Sequence, residues 1–535
     1  ILMDVQMPEM DGLEATRQIR KQNNQSFSKL PIIALTAGVS KTERENCNLA
    51  GMNDFLSKPI NKQKLREVII EYTQFINVFD AYTDNKKDDL VVFEKDKNLG
   101  GCASTFKRFG GYYNAGATTF VGYENNHPIK RIFDKAGLVP DIVESKIAIR
   151  TIQNRKIVDR IQNFEEFLTQ LNSVYYHKNN RIFWKTIKEI DERFWTLKKV
   201  YFAKYGFQAY AKTAFFVAEL LKEFGFMLFK TADGYINEVL PNISKEYKAF
   251  INAQLLITLQ TDSKDLSLLA MSLGLAYPFH KVFYPIGGMG QIIEDLLKDV
   301  NVQNKEQIIS IKKEQNKYRL ISTKDEYLAS KVILNSAIFE SSKLFLDENI
   351  KKYYDKFSFS DQSAFVVYLK LDSKEKLLHH YQIILKEDIP NCISNSFFVS
   401  ISDINDEKLS KDGYSITIST HSKAIFWEGL TKDEYETKKE FTKNFILDEF
   451  LNNFDNIKDE DIVISFAGTS KTFSRYINRT NCGGKAITAK NIFQLPSCNT
   501  PFEGLYNVGD TVFAGQGWPG VAIGVEVLNK ELNKI

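Results

Sequence analysis

Two neighbouring stretches near the carboxyl end of the chain, GLYNVGD at residues 504–510 and GQGWPG at residues 515–520, give the clearest structural signal. The first predicts a strand that ends in Gly-Asp, and the second is a glycine-rich turn leading into a helical pattern over residues 521–532. Glycine lets backbone N–H groups approach a ligand closely, and a helix amino terminus carries partial positive charge. Together the two stretches predict an α/β fold whose turn meets an anionic group.

A strand with an acidic end lies far upstream in the chain. Residues 90–93 form a short apolar run that ends at Glu94, and Gly100 and Gly101 follow six residues later. In dinucleotide-binding folds, an acidic residue at the end of a parallel strand binds ribose hydroxyls. This pattern, read with the carboxyl-terminal turn, favours a nucleotide-type cofactor.

Residues 90–535 resemble the phytoene desaturase and carotenoid isomerase family of flavoproteins, and the isomerase branch slightly more. The resemblance implies an FAD-binding, Rossmann-type domain of the amine-oxidase-like kind. Five segments carry it, namely VVFEK at 91–95 with Gly100 and Gly101, YPIGGM at 284–289, KVILNSA at 331–337, RYINR at 475–479 with Gly483 and Gly484, and residues 500–521.

The resemblance also implies which residues hold the FAD. Glu94, beside Gly100 and Gly101, would bind the adenosine ribose, and Asp510 after Gly509 would bind the ribityl chain. The turn at 515–521, which contains Gln516 and Gly517, would meet the isoalloxazine edge. In this family the flavin carries the chemistry, so the missing acid–base pair does not argue against an enzyme, and no catalytic side chain is identified.

One part of the family pattern is missing. Before the acidic strand, such proteins carry a first strand and a GxGxxG turn that holds the FAD pyrophosphate. Residues 52–99 contain no glycine. We therefore expect FAD binding to be weak or lost.

The first seventy-five residues have a different pattern. Three short apolar strands are predicted to end at Asp4, Thr36 and Lys58, with helical patterns between them, in a βαβαβα order typical of a parallel sheet. A carboxylate, a hydroxyl and an ammonium at neighbouring strand ends would converge, and together they suit a transferable phosphoryl group.

This segment resembles the receiver domain of two-component response regulators, through DVQMPEMDG at residues 4–12. The resemblance implies that Asp4 accepts phosphate from a histidine kinase. Receivers of this kind begin with another strand that carries two acidic residues for Mg²⁺, and the chain begins after that place. We therefore expect a truncated, flavodoxin-like receiver fragment at 1–75 with an incomplete Mg²⁺ site at Asp4, joined by a polar linker at 76–89 to the flavoprotein part at 90–535.

The substrate region is expected at about 150–275 and 340–430. Residues 213–230 predict a helix with a broad apolar face. It is either a buried lid helix or a helix whose end, residues 224–229, dips into a bilayer surface, where a long polyene would be collected. Strands at 365–371 and 414–420, with 397–402 between them, predict an antiparallel sheet over the flavin.

Composition excludes several classes of protein. The 70 basic and 67 acidic residues leave a net charge of +3, so no nucleic-acid partner is predicted. Five cysteines without CxxC spacing favour a reducing cytoplasm over a disulfide framework. The uncharged stretch 511–525 is too short and too rich in glycine to cross a membrane. No metal site is expected in the flavoprotein part, because no motif spacing links His280, His379, His380 and His421.

The sequence leaves three functional alternatives. The favoured one is an FAD-dependent oxidoreductase or isomerase acting on a long polyene, cytoplasmic or peripheral on the membrane. The second is a phosphorelay response-regulator module that uses Asp4 and carries the flavoprotein part as a passenger. The third is a non-functional fusion of two gene fragments.

Overall fold

The structure is a computed structural model of the 535-residue chain, which forms two compact units, residues 1–89 and residues 90–535. It describes residues 1–7, 10–21, 32–36, 41–61, 64–65, 90–197, 200–264, 266–358, 361–411, 413–481 and 494–533, without the side chains of residues 41–45. Two parts of the sequence predictions therefore lie outside the described residues, namely the linker at 76–89 and the glycine pair Gly483 and Gly484.

The first unit is a small parallel α/β sandwich. Its elements are β1 (Leu2–Asp4), α1 (Gly12–Lys21), β2 (Ile33–Thr36), α2 (Lys41–Ala50) and β3 (Asp54–Ser57). The strands pair in the order β1-β2-β3, and both pairings are parallel. Ile32, Ala34, Cys47 and Met52 form the core under the helices. These elements confirm the predicted α/β character of the first residues; most of the predicted helix at 62–72 lies outside the described residues.

The second unit contains nineteen strands among the described residues. They are β4 (Val91–Glu94), β5 (Thr105–Arg108), β6 (Gly111–Asn114), β7 (Phe120–Val121), β8 (Ile142–Glu144), β9 (Ile147–Gln153), β10 (Lys156–Ile161), β11 (Val282–Pro285), β12 (Asn301–Asn304), β13 (Ile308–Glu314), β14 (Lys317–Ser322), β15 (Glu326–Ala329), β16 (Val332–Leu334), β17 (Gln362–Leu371), β18 (His380–Ile384), β19 (Ser396–Ile401), β20 (Tyr414–Lys423), β21 (Ile462–Gly468) and β22 (Leu505–Asn507).

The helices described in this unit are α3 (Pro128–Ala136), α4 (Phe164–Val174), α5 (Asn180–Thr196), α6 (Phe207–Phe224), α7 (Ala232–Val239), α8 (Lys245–Leu259), α9 (Leu268–Ala276), α10 (Met289–Leu296), α11 (Glu348–Tyr354), α12 (Lys432–Asn452), α13 (Ser470–Ile477) and α14 (Gly517–Leu532). Within the described ranges, none of the helices combines the length and the hydropathy that crossing a bilayer requires.

A seven-stranded sheet organises the substrate region, in the order β10-β9-β18-β19-β20-β17-β21. All its pairings are antiparallel except β9 with β18. Apolar side chains of the sheet pack against Ile446 and Phe450 of α12. The three predicted strands are present in this sheet: β20 pairs with β17 and with β19, and β19 also pairs with β18.

The opposite face of this sheet holds the segment that follows β4. The Tyr368 hydroxyl of β17 donates to the Ala115 carbonyl over 2.7 Å, and the Ser415 hydroxyl of β20 donates to the Tyr112 carbonyl over 2.6 Å. Tyr113 packs beside Tyr368 and Phe466 in a small aromatic cluster. The sheet therefore fixes the position of β5 and β6 and the glycine turn before them.

Helices α4 to α9 form the predicted helical lid around one large aromatic and aliphatic core. Polar side chains cap several of them, because Asn163, Thr231, Ser244 and Ser267 each accept from a backbone N–H in the first turn. Helix α6 begins at residue 207, earlier than the predicted apolar helix, and ends where Gly225 takes a positive φ of 54°.

The unit also contains two short parallel two-stranded sheets, here called ribbons. Strand β4 pairs with β12 in one ribbon, and β16 pairs with β22 in the other. Among the described residues neither β4 nor β16 has a partner on its second edge. Their carboxyl ends lead into Glu94 and Asn335, so each ribbon carries one of the segments predicted to hold the cofactor.

Candidate functional site

A buried arginine joins three segments that are far apart in the chain. Arg479 donates from Nη1 to Asp510 Oδ1 over 3.0 Å and from Nη2 to Asp510 Oδ2 over 2.7 Å. Its Nη2 also lies 3.0 Å from the Cys102 Sγ. Burial would lower the pKa of Arg479, but the adjacent thiol and carboxylate outweigh it and raise the pKa. The Gly100–Gly101 turn and the Gly509–Asp510 turn are thereby held at one place.

The end of β4 reaches the same place through Lys95. The Lys95 ammonium donates to Asn478 Oδ1 over 2.5 Å and to the Arg475 carbonyl over 3.2 Å. The Glu94 carboxylate is partly buried, accepts from the Asp96 N–H over 2.9 Å, and has a raised pKa mainly because of burial. Gly101, with φ 55°, has open space where a Cβ would point.

Gly509 shows why a glycine is needed after β22. Its φ is 112°, and a Cβ there would lie 2.7 Å from Asn335 Oδ1. The strand β16 that ends just before Asn335 runs parallel to β22. The Ile338 N–H also donates to Thr511 Oγ1 over 3.1 Å. These contacts seat the 335–338 segment against the 509–511 turn.

The glycine-rich turn leads into α14, as predicted, but the helix begins at Gly517 rather than at Val521. Pro519 is tolerated in the first turn because the first N–H groups of a helix have no intrahelical partner. Gly515 is buried, yet nothing lies within 4 Å of the position that a Cβ would take, and beside Gly517 the nearest atom, of Pro519, is 4.0 Å away. Empty space therefore borders the amino terminus of α14.

The YPIGGM segment has a different role. Gly287 and Gly288 have φ values of 82° and 83°, and α10 starts at Met289. The N–H groups of Met289 and Gly290 donate to Asn114 Oδ1 and Thr105 Oγ1, each over 2.9 Å. The helix amino terminus is therefore capped by β5 and β6, and this turn fixes the scaffold of the site.

The residues present fit one end of an FAD molecule. A partly exposed carboxylate at Asp510 can accept hydroxyl donors through its remaining lone pairs, and the open space beside Gly515 leaves room for a ligand atom to approach the backbone. The absence of glycine over residues 52–99 leaves the pyrophosphate end without a predicted turn.

The structure also brings Asp4, Thr36 and Lys58 to one edge of the sheet in the first unit. The Lys58 ammonium lies 2.5 Å from Asp4 Oδ2, and the Gln6 N–H donates to Asp4 Oδ1 over 3.2 Å. The hydrogen bond from Lys58 is the main cause of a lowered pKa at Asp4. The Lys58 N–H donates to the Thr36 carbonyl over 2.7 Å. Phosphate acceptance by Asp4 stays a prediction.

Sequence reasoning missed two features of the second unit. It named the segment of Arg479 but gave that residue no partner, and it did not connect Cys102 with Asp510. It also overlooked Glu124 and His127, which lie beside His280. Local sequence patterns do not report these groupings, because Arg479 lies 377 residues from Cys102 and His280 lies 156 residues from Glu124.

Two family models match two successive parts of the chain. The family model described as response regulator receiver domain matches residues 1–70, and the model described as flavin containing amine oxidoreductase matches residues 83–374. A prolycopene isomerase of Daucus carota is 24% identical over 474 residues, covering 81% of this chain and 74% of that protein.

Two further proteins are each similar to one part of the chain, the first to a short segment and the second to most of its length. A hybrid signal transduction histidine kinase of Dictyostelium discoideum is 44% identical over 73 residues, which are 14% of this chain and 4% of the kinase. An oxidoreductase structure from Methanosarcina mazei aligns over 82% of this chain and 94% of its own with a TM-score of 0.54 and 16% identity, and it supports the fold alone. The chain therefore belongs to the flavin containing amine oxidoreductases and carries a response regulator receiver domain in its first residues.

Proposed function

We propose that residues 90–535 act on a long polyene of the carotenoid kind, as an FAD-dependent isomerase or desaturase. The observation that carries the proposal is that Arg479 contacts both Asp510 and Cys102, the residue after Gly101, while open space lies beside Gly515 before the start of α14. When bound, FAD supplies the redox chemistry. Asp510 holds the ribityl chain, Glu94 the adenosine ribose, and the turn of Gln516 and Gly517 the ring edge.

The surface of the lid supports a long apolar substrate. We define the apolar patch as the exposed side chains of α6 and the turn after it, which are Phe207, Tyr210, Phe215, Leu221, Phe226 and Phe229. The helix residues of the patch recur at helical spacing on one side, while Phe216, Leu220 and Phe224 are buried in the core on the other. An open groove of about 460 Å³ runs along the patch between Gly206 and Ala214.

We further propose that the apolar patch rests on a lipid surface, from which the polyene is taken. Large exposed apolar side chains that cluster on one surface mark a site of contact with another protein or with a membrane. Phe226 and Phe229, 90% and 66% exposed, extend the patch beyond the end of α6. This arrangement suits a helix that lies in the membrane interface rather than one that spans it.

The proposal includes weak FAD binding. A GxGxxG turn would offer several N–H groups to the pyrophosphate, and a charge-assisted hydrogen bond contributes about 1.5–3 kcal/mol. Losing two or three of them weakens binding by several orders of magnitude. Glu94 adds a carboxylate that faces an anionic ligand without such a turn beside it.

The rival function is a phosphorelay module in which Asp4 accepts phosphate from a histidine kinase with the help of Thr36, Lys58 and Mg²⁺. The contact between Lys58 and Asp4 favours it. In that case residues 1–75 act, residues 76–89 connect, and the flavoprotein part is a passenger. A non-functional fusion would show neither flavin binding nor phosphorylation.

Flavin binding is the direct test of the proposed function. FAD is titrated into the purified chain and into Gly517→Ala and Gly429→Ala, and flavin fluorescence and absorption are followed. Both glycines have a positive φ, 78° and 68°, and neither would bring a Cβ into close contact, so the two changes cost similar backbone strain. We expect weak binding to the natural chain, the same binding to Gly429→Ala and a clear loss with Gly517→Ala.

Equal binding to both variants would remove the 515–517 turn from the site, and no binding to the natural chain would leave the phosphorelay and fusion alternatives.

A further inference from the structure

Three metal-ligating side chains meet in the second unit, outside the proposed flavin site. Glu124 and His127 lie between β7 and α3, and His280 immediately precedes β11. One ligand atom from each lies within 4.8 Å of the other two. The Glu124 Oε2 is 3.1 Å from the His280 Nδ1, and the two imidazole ring centres are 4.9 Å apart.

His127 supplies an independent indication of a ligand. Its side chain is 95% buried, since only 5% of the residue is exposed, and its Nδ1 has no hydrogen-bond partner. The ring is stacked on Trp195 at 4.5 Å, which holds it in place. A buried polar atom without a partner is costly, and a bound cation would remove that cost.

The other two ligands are already oriented. The Nε2 of His280 contacts Oδ2 of Asp191, a buried carboxylate that also accepts from Trp195 Nε1 over 3.0 Å. A carboxylate on the far nitrogen is the usual way in which a metal-binding histidine is fixed. The Glu124 Oε1 accepts from the Lys281 N–H over 2.8 Å, which leaves Oε2 toward His280. The side chains of Glu124 and His280 are partly exposed, so an ion can enter from solvent.

We propose that Glu124, His127 and His280 bind one divalent transition-metal ion. Two imidazoles and one carboxylate suit Zn²⁺, with the fourth position open to water. Zinc ligands at about 2.0–2.2 Å in a tetrahedral arrangement lie about 3.3 Å from one another. The pair formed by Glu124 and His280 already meets this spacing at 3.1 Å, and the other separations are no wider than 4.8 Å. The ion would tie the loop before α3 to the segment before β11.

Zinc binding to the full chain tests the proposal. The chelator-treated protein is titrated with Zn²⁺ by calorimetry, beside His127→Gln, Glu124→Gln and, as the matched histidine control, His177→Gln. We expect one equivalent bound by the natural chain and by His177→Gln, and loss of that equivalent in the other two variants. Co²⁺ in place of Zn²⁺ is expected to give the visible difference absorption of a tetrahedral site.

No zinc uptake by the natural chain, or equal uptake by Glu124→Gln, would overturn the proposal. His280 would then be an imidazolium shared by Glu124 and Asp191, which needs no metal. Glu124→Gln keeps the size of the side chain, so it decides the question even where His127→Gln does not fold.

Discussion

A guanidinium that is buried with its charge needs a carboxylate beside it, and Arg479 obtains one from Asp510. Removing that carboxylate in Asp510→Ala leaves the charge unpaired, so we expect the free energy of unfolding to fall by about 3 kcal/mol. Urea denaturation followed by tryptophan fluorescence measures the change. Flavin affinity is expected to fall as well, because the variant loses the group proposed for the ribityl chain.

A second variant separates the two effects of Asp510. In Arg479→Met with Asp510→Ala, no unpaired charge remains, so stability is expected to recover relative to Asp510→Ala alone. Flavin affinity is expected to stay low in both. Recovery of flavin affinity together with stability would mean that Asp510 acts only through the fold.

Asp4 is expected to accept phosphate poorly. Among the described residues, no group of three or more metal-ligating side chains includes Asp4. Mg²⁺ needs near-octahedral oxygen ligands to offset charge at the phosphoryl group. Incubation with acetyl phosphate and Mg²⁺, with Asp4→Asn as baseline, measures acyl phosphate. Stoichiometric labelling that depends on Asp4 would favour the phosphorelay alternative.

The positions of individual site residues were predictable where a simple rule relates a residue's place in a predicted element to its place in the fold. Asp4, Thr36 and Lys58 were placed together because the carboxyl ends of neighbouring parallel strands share one edge. His127 and His280 were not, because 152 residues separate them and their contact depends on how the lid packs. Arg479 lacked a predicted partner for the same reason.

At the level of elements, the apolar patch around α6 makes a membrane prediction. We expect the natural chain to float with lecithin vesicles, and Phe226→Ser with Phe229→Ser to reduce the bound fraction severalfold, since each change removes an exposed aromatic anchor. The control is Val139→Ser with Ile425→Ser, which removes side chains that are also exposed, 88% and 62%, and belong to other elements. Equal loss in both variants, or no flotation of the natural chain, would contradict a role for the patch.

Element boundaries show where local patterns fall short. The strands at 365–371 and 414–420 were predicted within a few residues because their apolar runs are long and continuous. Their order in the sheet was not, since pairing of β17 with β20 rather than β19 depends on long-range packing. The start of α14 was predicted too late, because its first turn contains glycine and proline, which usually break helices. Proline is tolerated there because the first N–H groups of a helix have no intrahelical partner.

For the whole molecule, the missing glycine turn is expected to control the colour of the protein. The natural chain should be colourless as purified. Replacing residues 1–89 by a strand–GxGxxG–helix unit of about 30 residues ahead of Leu90 should give a yellow protein with tight FAD. The control graft carries alanine in place of the three glycines and should stay colourless. A natural chain purified with stoichiometric FAD would show that another segment binds the pyrophosphate.

The strands of the two short ribbons are expected to open locally more often than those of the large sheet. Strand β17 pairs with neighbours on both edges, and its pairing with β20 alone covers ten residues. Among the described residues, β4 pairs on one edge only, over four residues. Opening a strand costs free energy roughly in proportion to the contacts and hydrogen bonds that must be released. Amide hydrogens of β4 and β16 are therefore expected to exchange with solvent through local openings of low free energy. Amide hydrogens of the large sheet are expected to exchange only through rarer, more global unfolding. These lightly paired strands flank the proposed cofactor site, and flavin bound there is expected to slow that exchange.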